Sequence, residues 1–261
     1  MVCAYVFQIS VEKMERFKLE NGITKLDVCC VYWGDKFSTD YVQKLYYMVQ
    51  RHLTIPHRFI VFTDHVKLHK LIHNKNGNIT YESFPEHALQ GWWNKLYMFH
   101  PYFKTMIGNK FYLDLDTVIL DDLNKFIDFG MMRDFCITRD FGQPTTTYNS
   151  SVMRWHSNIN PIIWDGYLKN KQKYDRMQGD QNVITDIMNG TSDGPKYEKR
   201  IELNPYPDEW TFSYKWRNRT NPVFARKDWT FERMPGTSIA VFHGNPKPHE
   251  STQEWVKENW K

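Results

Sequence analysis

Three short segments, set far apart in the chain, carry side chains that together could hold a metal ion and a diphosphate. They are Asp114-Leu115-Asp116, Gly179-Asp180-Gln181 and His243-Gly244-Asn245-Pro246-Lys247-Pro248. Carboxylate oxygens suit a hard divalent ion, and a neutral imidazole completes a site for Mn²⁺ better than one for Ca²⁺. A lysine ammonium beside the metal supplies the further positive charge that a diphosphate needs. The three segments therefore predict a site that binds a nucleotide diphosphate through Mn²⁺ or Mg²⁺.

The acidic pair follows an apolar strand. Asp114 and Asp116 lie two residues apart, so their side chains share one face of the strand while Leu115 points into the core. Two carboxylates this close repel each other unless a cation lies between them. Solvated acids at a strand end would give the same pattern, as for Asp121 and Asp122 nearby. The apolar residues on both sides of the pair favour a metal-binding role.

The segment that starts at His243 combines features that are weak one at a time. His243 alone is typical of a buried core histidine, and Lys247 alone is typical of a surface lysine. Gly244, however, allows a phosphate to approach the main chain. Pro246 and Pro248 fix the backbone that carries the lysine. The combination indicates a loop that holds a diphosphate.

Two other motifs leave two interpretations open. Asp180 and Gln181 begin a predicted helix, where an aspartate is a common N-cap and where a carboxylate and an amide could equally bind sugar hydroxyls. Lys95 follows Trp92 and Trp93 at the start of another predicted helix. It is either a solvated lysine beside core tryptophans or a cation beside the phosphates or the acidic pair.

Strands and helices alternate along the chain, as in an α/β protein. We expect strands at Leu26–Trp33, Arg58–Phe62, Ile79–Phe84, Lys110–Leu113, Phe135–Thr138, Ser151–Trp155 and Ile239–His243. We expect helices at Tyr41–His52, Trp92–Phe103 and Gln181–Met188. The first strand, helix and strand form a βαβ unit, which predicts a parallel sheet with a right-handed crossover. Ligands in such sheets bind beyond the carboxyl ends of the strands, where the acidic pair lies.

Length and composition predict one domain with a sizeable core. The 261 residues divide into a nucleotide-binding half, residues 25–120, and a half for the donor sugar and the acceptor, residues 121–261. Residues 191–233 show no hydrophobic period, so we expect an irregular acceptor region there. Hydrophobic residues make up 41% of the chain, enough to fill a core. No run of 18 apolar residues predicts a membrane span, and the apolar start Met1–Ser10 is typical of a strand rather than a signal peptide.

Charge and cysteine content exclude other classes of protein. A net charge of +4 permits an anionic substrate but does not by itself indicate nucleic acid. The four cysteines include the adjacent pair Cys29 and Cys30 but no CxxC motif, so we expect buried free thiols rather than a zinc site. Free thiols are typical of a reducing compartment, which predicts a cytoplasmic location.

Six motifs follow one another along roughly residues 26 to 248: Trp33-Gly34-Asp35-Lys36-Phe37, Thr63-Asp64, Gly91–Leu96, Tyr112–Ile119, Tyr148–Met153 and Gly179–Gln181. In this order they resemble the motifs of sugar-nucleotide glycosyltransferases of the GT-A fold, in the neighbourhood of glycosyltransferase family 8 with glycogenin and the bacterial lipooligosaccharide galactosyltransferases. They are more closely similar to a group of uncharacterised bacterial and phage glycosyltransferases. The resemblance implies a single Rossmann-like GT-A domain with a mixed, mainly parallel central sheet.

The resemblance also implies roles for the polar residues. The metal ligands would be Asp114, Asp116 and His243. Tyr32 and Trp33 would flank the base. The full set of residues that would bind the donor nucleotide sugar is Tyr32, Trp33, Thr63, Asp64, Lys95, Asp114, Leu115, Asp116, Asp140, Asn149, Gly244 and Lys247. The catalytic residues would be Asp180, Gln181 and Lys247.

The resemblance further implies a donor and a stereochemical course. The family mostly uses uridine diphosphate sugars and retains the configuration at the anomeric carbon. This chain departs from it at Asn182, where the family often has a further acid, so a carboxylate nucleophile is disfavoured. Gln181 is a poor nucleophile. We therefore expect the acceptor hydroxyl to attack on the face of the leaving diphosphate, assisted by it, without a covalent intermediate.

The acceptor is open between two classes. A glycan or lipopolysaccharide core is the simpler choice, and a hydroxymethylated DNA base, as modified by phage enzymes, is the alternative. The candidate acceptor residues combine base-stacking and phosphate-binding types, and they are Tyr214, Lys215, Trp216 and Arg217. A DNA base would have to flip out of its duplex to reach the site. A sugar-nucleotide-binding protein without catalysis is a third class, which the full set of polar motif residues disfavours.

Overall fold

The computed structural model describes residues 26–65, 79–84, 89–103, 106–131, 134–143, 146–190, 203–215, 233 and 235–261. The strand expected at Met1–Ser10 and the candidate acceptor residues Trp216 and Arg217 lie outside these ranges. The strands within them are β1 (Leu26–Tyr32), β2 (Arg58–Thr63), β3 (Ile79–Ser83), β4 (Asn109–Leu113), β5 (Thr117–Ile119), β6 (Phe135–Arg139), β7 (Tyr148–His156), β8 (Leu203–Pro205), β9 (Thr211–Ser213) and β10 (Ile239–Val241).

The larger of two sheets has the strand order β3-β2-β1-β4-β7-β6-β8 among the described residues. The strands β3, β2, β1 and β4 are mutually parallel. Strand β7 runs antiparallel to both of its neighbours, and β8 is parallel to β6. The α/β class with a mixed, mainly parallel central sheet is therefore confirmed. The acidic pair follows β4, at the carboxyl end of the parallel set.

The smaller sheet consists of β5, β10 and β9, each only three residues long. β10 pairs antiparallel with β5 and parallel with β9. This sheet positions the site, because β5 begins directly after Asp116 and β10 ends two residues before His243. The amide of Phe242 donates to the carbonyl of Asp116 at 3.0 Å, so the two motifs meet through the backbone.

The helices of the described part are α1 (Thr39–His52), α2 (Asn124–Asp128), α3 (Asn160–Lys169), α4 (Lys171–Tyr174), α5 (Asp180–Met188) and α6 (Glu254–Asn259). Short 3₁₀ helices occur at Gly91–Phe99, Pro101–Phe103, Ser157–Ile159, Asp208–Trp210 and Pro248–Glu250. The expected β1-α1-β2 unit is present. None of these helices has both the length and the apolar character that crossing a membrane requires.

The segment expected as one helix at Trp92–Phe103 is different in the structure. It forms two 3₁₀ helices that are separated at His100, whose ψ of 140° is extended. The cause is Pro101, because a proline disfavours helical backbone at the residue before it. The segment 191–233, expected to be irregular, contains the short strands β8 and β9.

The core lies on both faces of the larger sheet, as expected for parallel strands with near-continuous apolar sequence. On β1, Val28 and Cys30 pack with the α1 side, while Cys29 packs with the side that carries the first 3₁₀ helix and α3. Cys29, Cys30 and Cys136 are buried free thiols, as expected. Burial raises the pKa of the Cys136 thiol to about 11, so it is protonated and unreactive at neutral pH.

Candidate active site

The backbone after β4 fixes the position of the first acid. The amide of Asp114 donates to the carbonyl of Ser151 on β7 at 2.9 Å. The hydroxyl of Thr117 donates to the carbonyl of Asp114 at 2.8 Å and closes the turn that contains Leu115 and Asp116. The acidic pair is therefore anchored to both sheets. Leu115 is 3% exposed, in agreement with the expectation that it points inward.

Lys95 lies directly beside Asp114. Its ammonium is 2.8 Å from one carboxylate oxygen and 3.1 Å from the other, and it also donates to the Ser150 hydroxyl at 3.0 Å. The Tyr112 hydroxyl donates to the same carboxylate at 2.6 Å. Burial alone would raise the pKa of Asp114, but the Lys95 charge and these hydrogen bonds hold the pKa below its usual value. Asp114 is thus an ionised carboxylate in a partly buried setting.

Lys247 pairs with Asp116 in the same way. Its ammonium donates to the Asp116 carboxylate and, at 3.1 Å, to the carbonyl of Phe242. Burial and the charge of Asp114 raise the pKa of Asp116, and the lysine opposes that rise. The backbone amide of Lys247 donates to the Glu250 carboxylate at 2.6 Å, which fixes the loop. Each acid of the pair therefore has its own lysine.

His243 lies on the loop that carries Lys247, but its side chain contacts residues other than the acidic pair. Its Nε2 shares a hydrogen bond with the Ser213 hydroxyl, and its ring stacks on Phe141 with centroids 5.6 Å apart. Burial lowers the pKa of His243 to about 4, so the imidazole is neutral at pH 7, as a metal ligand must be. Within the described ranges, no three His, Cys, Asp or Glu side chains are already arranged to hold a metal ion.

Asp180 is the first residue of α5, and Gly179 occupies the N-cap. The interpretation of Asp180 as the capping residue is therefore wrong. Its side chain is buried, one carboxylate oxygen lies 3.8 Å from the Lys95 ammonium, and that oxygen has no hydrogen-bond partner among the described residues. Burial raises the pKa of Asp180, and Lys95 partly offsets this. A buried acceptor without a partner is a position where a ligand hydroxyl would be bound.

Gln181 connects two other candidate residues. Its amide donates to the Asp140 carboxylate at 3.2 Å, and the Asn149 amide donates to the Gln181 carbonyl oxygen at 3.4 Å. Asp140 is itself fixed by the backbone amides of Gly142 and Gln143, both at 2.8 Å. Residues from the end of β6, the start of β7 and the start of α5 thus form one polar group.

Three adjoining cavities surround these residues. The first cavity, of about 290 Å³, extends from Trp33 and Phe37 to the acidic pair. The second cavity, of about 240 Å³, lies between Lys95 and the Asp180-Gln181 pair. The third cavity, of about 510 Å³, lies beyond Gln181 and is lined by Asp140, Phe141 and His243. Such a series could hold an elongated ligand and a second molecule at its end.

Of the residues expected around a base, one lines a cavity and others are buried. Trp33 lines the first cavity. Tyr32 and Thr63 are buried, at 5% and 1% exposed, so they support the cavity rather than flank a ligand. The Asp64 carboxylate accepts from the Gly34 amide at 3.2 Å, which ties the loop after β1 to the end of β2. The expectation that Tyr32 flanks a base is therefore corrected.

The two acceptor candidates within the described residues, Tyr214 and Lys215, have different surroundings. Tyr214 is 6% exposed and stacks on Phe242 with centroids 4.1 Å apart, so its ring is not available to a substrate. The Lys215 ammonium lies 3.4 Å from the point where a Cβ on Gly244 would be. Gly244 has φ +73°, which favours glycine, and a longer side chain would also meet this lysine. Lys215 thus lies beside the loop expected to hold the diphosphate.

Several residues of the site were not foreseen in their roles. Tyr112 hydrogen-bonds to Asp114, and Ser150 hydrogen-bonds to Lys95. Both residues lie inside motifs that were recognised in the sequence, and this was the sequence signal that could have revealed them. Phe37 lies under the Lys247 ammonium, 5.5 Å from it. Ser213, which holds His243, had no sequence signal, because its position depends on the pairing of β9 with β10.

Comparison with known proteins identifies the fold. No family model and no curated protein sequence matches the chain. The galactosyltransferase LgtC, solved in complex with donor and acceptor sugar analogues, matches with a TM-score of 0.58 at 15% identity, over 89% of this chain and 93% of that one. The glycosyltransferase GlyE of Streptococcus pneumoniae TIGR4 matches with a TM-score of 0.58 at 13% identity, over 90% of this chain and 62% of that one. At these identities the likeness is one of fold, and the fold is that of GT-A-like glycosyltransferases.

Proposed function

We propose that this protein is a metal-dependent glycosyltransferase that transfers a sugar from a UDP-sugar to a hydroxyl of a glycan acceptor, with retention of the anomeric configuration. The observation that carries the proposal is the acidic pair with its two lysines, between a cavity lined by Trp33 and a cavity lined by Asp180. The glycosyltransferase fold supports it.

The residues present fit a divalent ion. Asp114 and Asp116 are two carboxylates whose charges are now balanced by ammonium groups, and His243 is a neutral imidazole on the adjoining loop. When bound there, Mn²⁺ or Mg²⁺ would neutralise charge on a departing diphosphate. Asp114, Asp116 and His243 would hold it. The Lys247 ammonium beside Asp116 supports this assignment, because it places positive charge against that carboxylate.

The chain's own residues account for the rest of the chemistry. Lys247 pairs with Asp116, which lines the first cavity, so its positive charge can help to stabilise a diphosphate there as the sugar leaves. Lys95, held between Asp114 and Asp180, faces the second cavity, where it can orient a sugar. The free oxygen of Asp180 can accept from a sugar hydroxyl.

The position of Gln181 favours attack by the acceptor without a covalent intermediate. Its amide is committed to Asp140 and Asn149, and an amide is a poor nucleophile. The third cavity lies beyond Gln181 and is large enough for an acceptor sugar. In this proposal an acceptor hydroxyl attacks the anomeric carbon on the face of the leaving diphosphate, whose oxygen takes the proton. A glycan is the acceptor that we propose, since LgtC, which shares this fold, was solved with an acceptor sugar analogue.

The test is release of nucleotide from a panel of UDP-sugars with Mn²⁺, with and without glycan or hydroxymethylated DNA. We expect Asp114→Asn and Asp116→Asn each to lower turnover by at least about 100-fold. Each substitution removes a carboxylate that would hold the metal, and the metal would neutralise the charge that develops on the diphosphate. Asp121→Asn is the matched control, because this nearby acid is exposed and lies outside the cavities. Full activity in excess chelator would contradict the metal, and DNA-dependent release would replace the glycan. A protein that binds the donor without any release would be a non-catalytic binder.

A further inference from the structure

Trp92 is an exposed tryptophan at the centre of the site. Its side chain is 58% exposed, whereas Leu96 and Phe99 on the same 3₁₀ helix are fully buried. The chain reaches it through Gly91, whose φ of +59° is in the left-handed region. A large exposed aromatic ring on a cavity wall is a place where ligands bind.

The indole is held in place by a glycine of another motif. Gly179 has an extended backbone, with φ −179°, that any residue can adopt. A Cβ at Gly179 would lie 3.1 Å from the indole Nε1 and 3.4 Å from Cδ1 of Trp92. The absence of a side chain at position 179 therefore allows the edge of the indole to approach the start of α5. Trp92 and Asp180 therefore line the same cavity.

The position of Trp92 distinguishes donor from acceptor. It lines the first and the second cavity, which meet at Lys95 and Asp114. It does not line the third cavity, where Asp140 and His243 lie. A molecule that extends from the first cavity into the second must pass the indole, and a molecule in the third cavity need not contact it.

We propose that Trp92 is the platform for the sugar ring of the donor and thereby distinguishes sugar nucleotides from the free nucleotide. This inference rests on the proposed function. A pyranose has polar edges, which carry its hydroxyls, and a face of C–H groups that packs well on an aromatic ring. In the second cavity, Asp180 and Gln181 offer polar contacts, and the indole offers the apolar surface.

The experiment is calorimetric titration of the metal-loaded protein with UDP, UDP-glucose and UDP-galactose. We expect Trp92→Ala to weaken binding of the preferred sugar nucleotide about tenfold and to weaken UDP binding by a clearly smaller factor, because the indole also lines the first cavity. Trp92→Phe retains an aromatic face, so it should recover most of the affinity. Tyr102→Ala is the matched control, because Tyr102 is 62% exposed on the neighbouring 3₁₀ helix and lines none of the three cavities.

A second variant changes the indole without removing it. Gly179→Ala should shift the ring by a few tenths of an ångström and cause a smaller loss of the same selective kind, and combining it with Trp92→Ala should add little. Equal loss for UDP and the sugar nucleotides, or no loss for either, would overturn the inference. A wild-type protein that binds neither UDP nor any sugar nucleotide would instead overturn the proposed function. Thermal unfolding of each variant establishes that the folded proteins are compared.

Discussion

At the scale of single residues, the two acids of the pair differ because their neighbours differ. Asp114 accepts from Lys95 and Tyr112, which keep its pKa low. Asp116 has Lys247 as its cation, and the charge of Asp114 raises its pKa. Spacing predicted a common strand face for the two acids, but both lie in the turn between β4 and β5. The lysine that each one pairs with was not predictable. Those partners arrive from distant segments, so only the folded chain places them.

Lys247 should therefore compete with a metal for Asp116 in the nucleotide-free protein. We expect Lys247→Met to bind Mn²⁺ several-fold more tightly without nucleotide, because the ammonium no longer occupies the carboxylate. Turnover should nevertheless fall by about 100-fold, since the same ammonium stabilises the leaving diphosphate. Electron paramagnetic resonance of free Mn²⁺ measures the first effect, and nucleotide release measures the second.

The control for this substitution is Lys257→Met, since Lys257 is an exposed lysine on α6. If the Lys247 variant bound Mn²⁺ with wild-type affinity, the lysine and the metal would not share Asp116. If it kept wild-type turnover, the loop from His243 to Pro248 would be structural only.

His57, in the connection between α1 and β2, makes folding stability depend on pH. Its Nδ1–H donates to the Ile55 carbonyl at 2.7 Å, and Nε2 lies 2.9 Å from the Gln50 amide, which suits a neutral ring. Burial lowers the pKa of His57 below its ordinary value. The unfolded chain takes up the proton near pH 6.5, whereas the folded protein resists it. Stability should therefore fall as the pH falls below about 6.5.

Chemical denaturation at several pH values checks this effect. We expect the free energy of unfolding of the wild type to decrease from pH 7 to pH 5 more steeply than that of His57→Gln, by at most about 1.4 kcal/mol per pH unit. Glutamine keeps polar atoms at the site and removes the titration. Parallel pH profiles for the two proteins would show that this ring does not contribute.

At the scale of elements, long periodic segments were predictable and short paired ones were not. The β1-α1-β2 unit was predicted because apolar residues such as Val42, Leu45 and Val49 repeat with helical spacing, and these residues are buried in α1. β5 and β9 have three residues each and are held by pairing with β10, which is distant in sequence. No local pattern reveals such strands. This small sheet nevertheless brings the loop from His243 to Pro248 against the acidic pair.

The loop also depends on one carboxylate of its own 3₁₀ helix. Glu250 accepts from the Lys247 amide at 2.6 Å. We expect Glu250→Ala to reduce stability by about 1 kcal/mol, the usual effect of losing one such hydrogen bond. It should lower kcat several-fold with a smaller change in KM, because the ammonium is less well placed as the diphosphate leaves.

Denaturant unfolding and steady-state kinetics measure both effects. Glu258→Ala on α6 is the matched control, since it removes an exposed glutamate of the same C-terminal segment. A Glu250 variant with unchanged kcat and reduced stability would show that this carboxylate stabilises the loop without positioning the lysine.

At the scale of the whole molecule, the two ends of the parallel strands carry different groups of residues. The carboxyl ends of β1 and β4 carry the first cavity and the acidic pair, as sheet topology led us to expect. The opposite end carries a buried charge group that the sequence did not reveal, because its members become neighbours only when β1, β2 and β4 pair. Asp27 accepts from Lys110 at 2.6 Å and from Arg58 at 2.7 Å and is 1% exposed.

This separation predicts that stability and donor binding can be changed independently. Asp27→Ala leaves the buried Lys110 charge without its carboxylate, so we expect the free energy of unfolding to fall by about 3 kcal/mol. Asp40→Ala is the matched control, because its pair with Lys44 is exposed and should contribute less than about 1 kcal/mol.

Asp27 lies roughly 16 Å along β1 from Tyr32 at the site end. The dissociation constant of a UDP-sugar, measured by calorimetry well below the unfolding temperature of the variant, should therefore match that of the wild type. A weakened donor affinity in folded Asp27→Ala would show that the charge group at one end of the sheet shapes the site at the other.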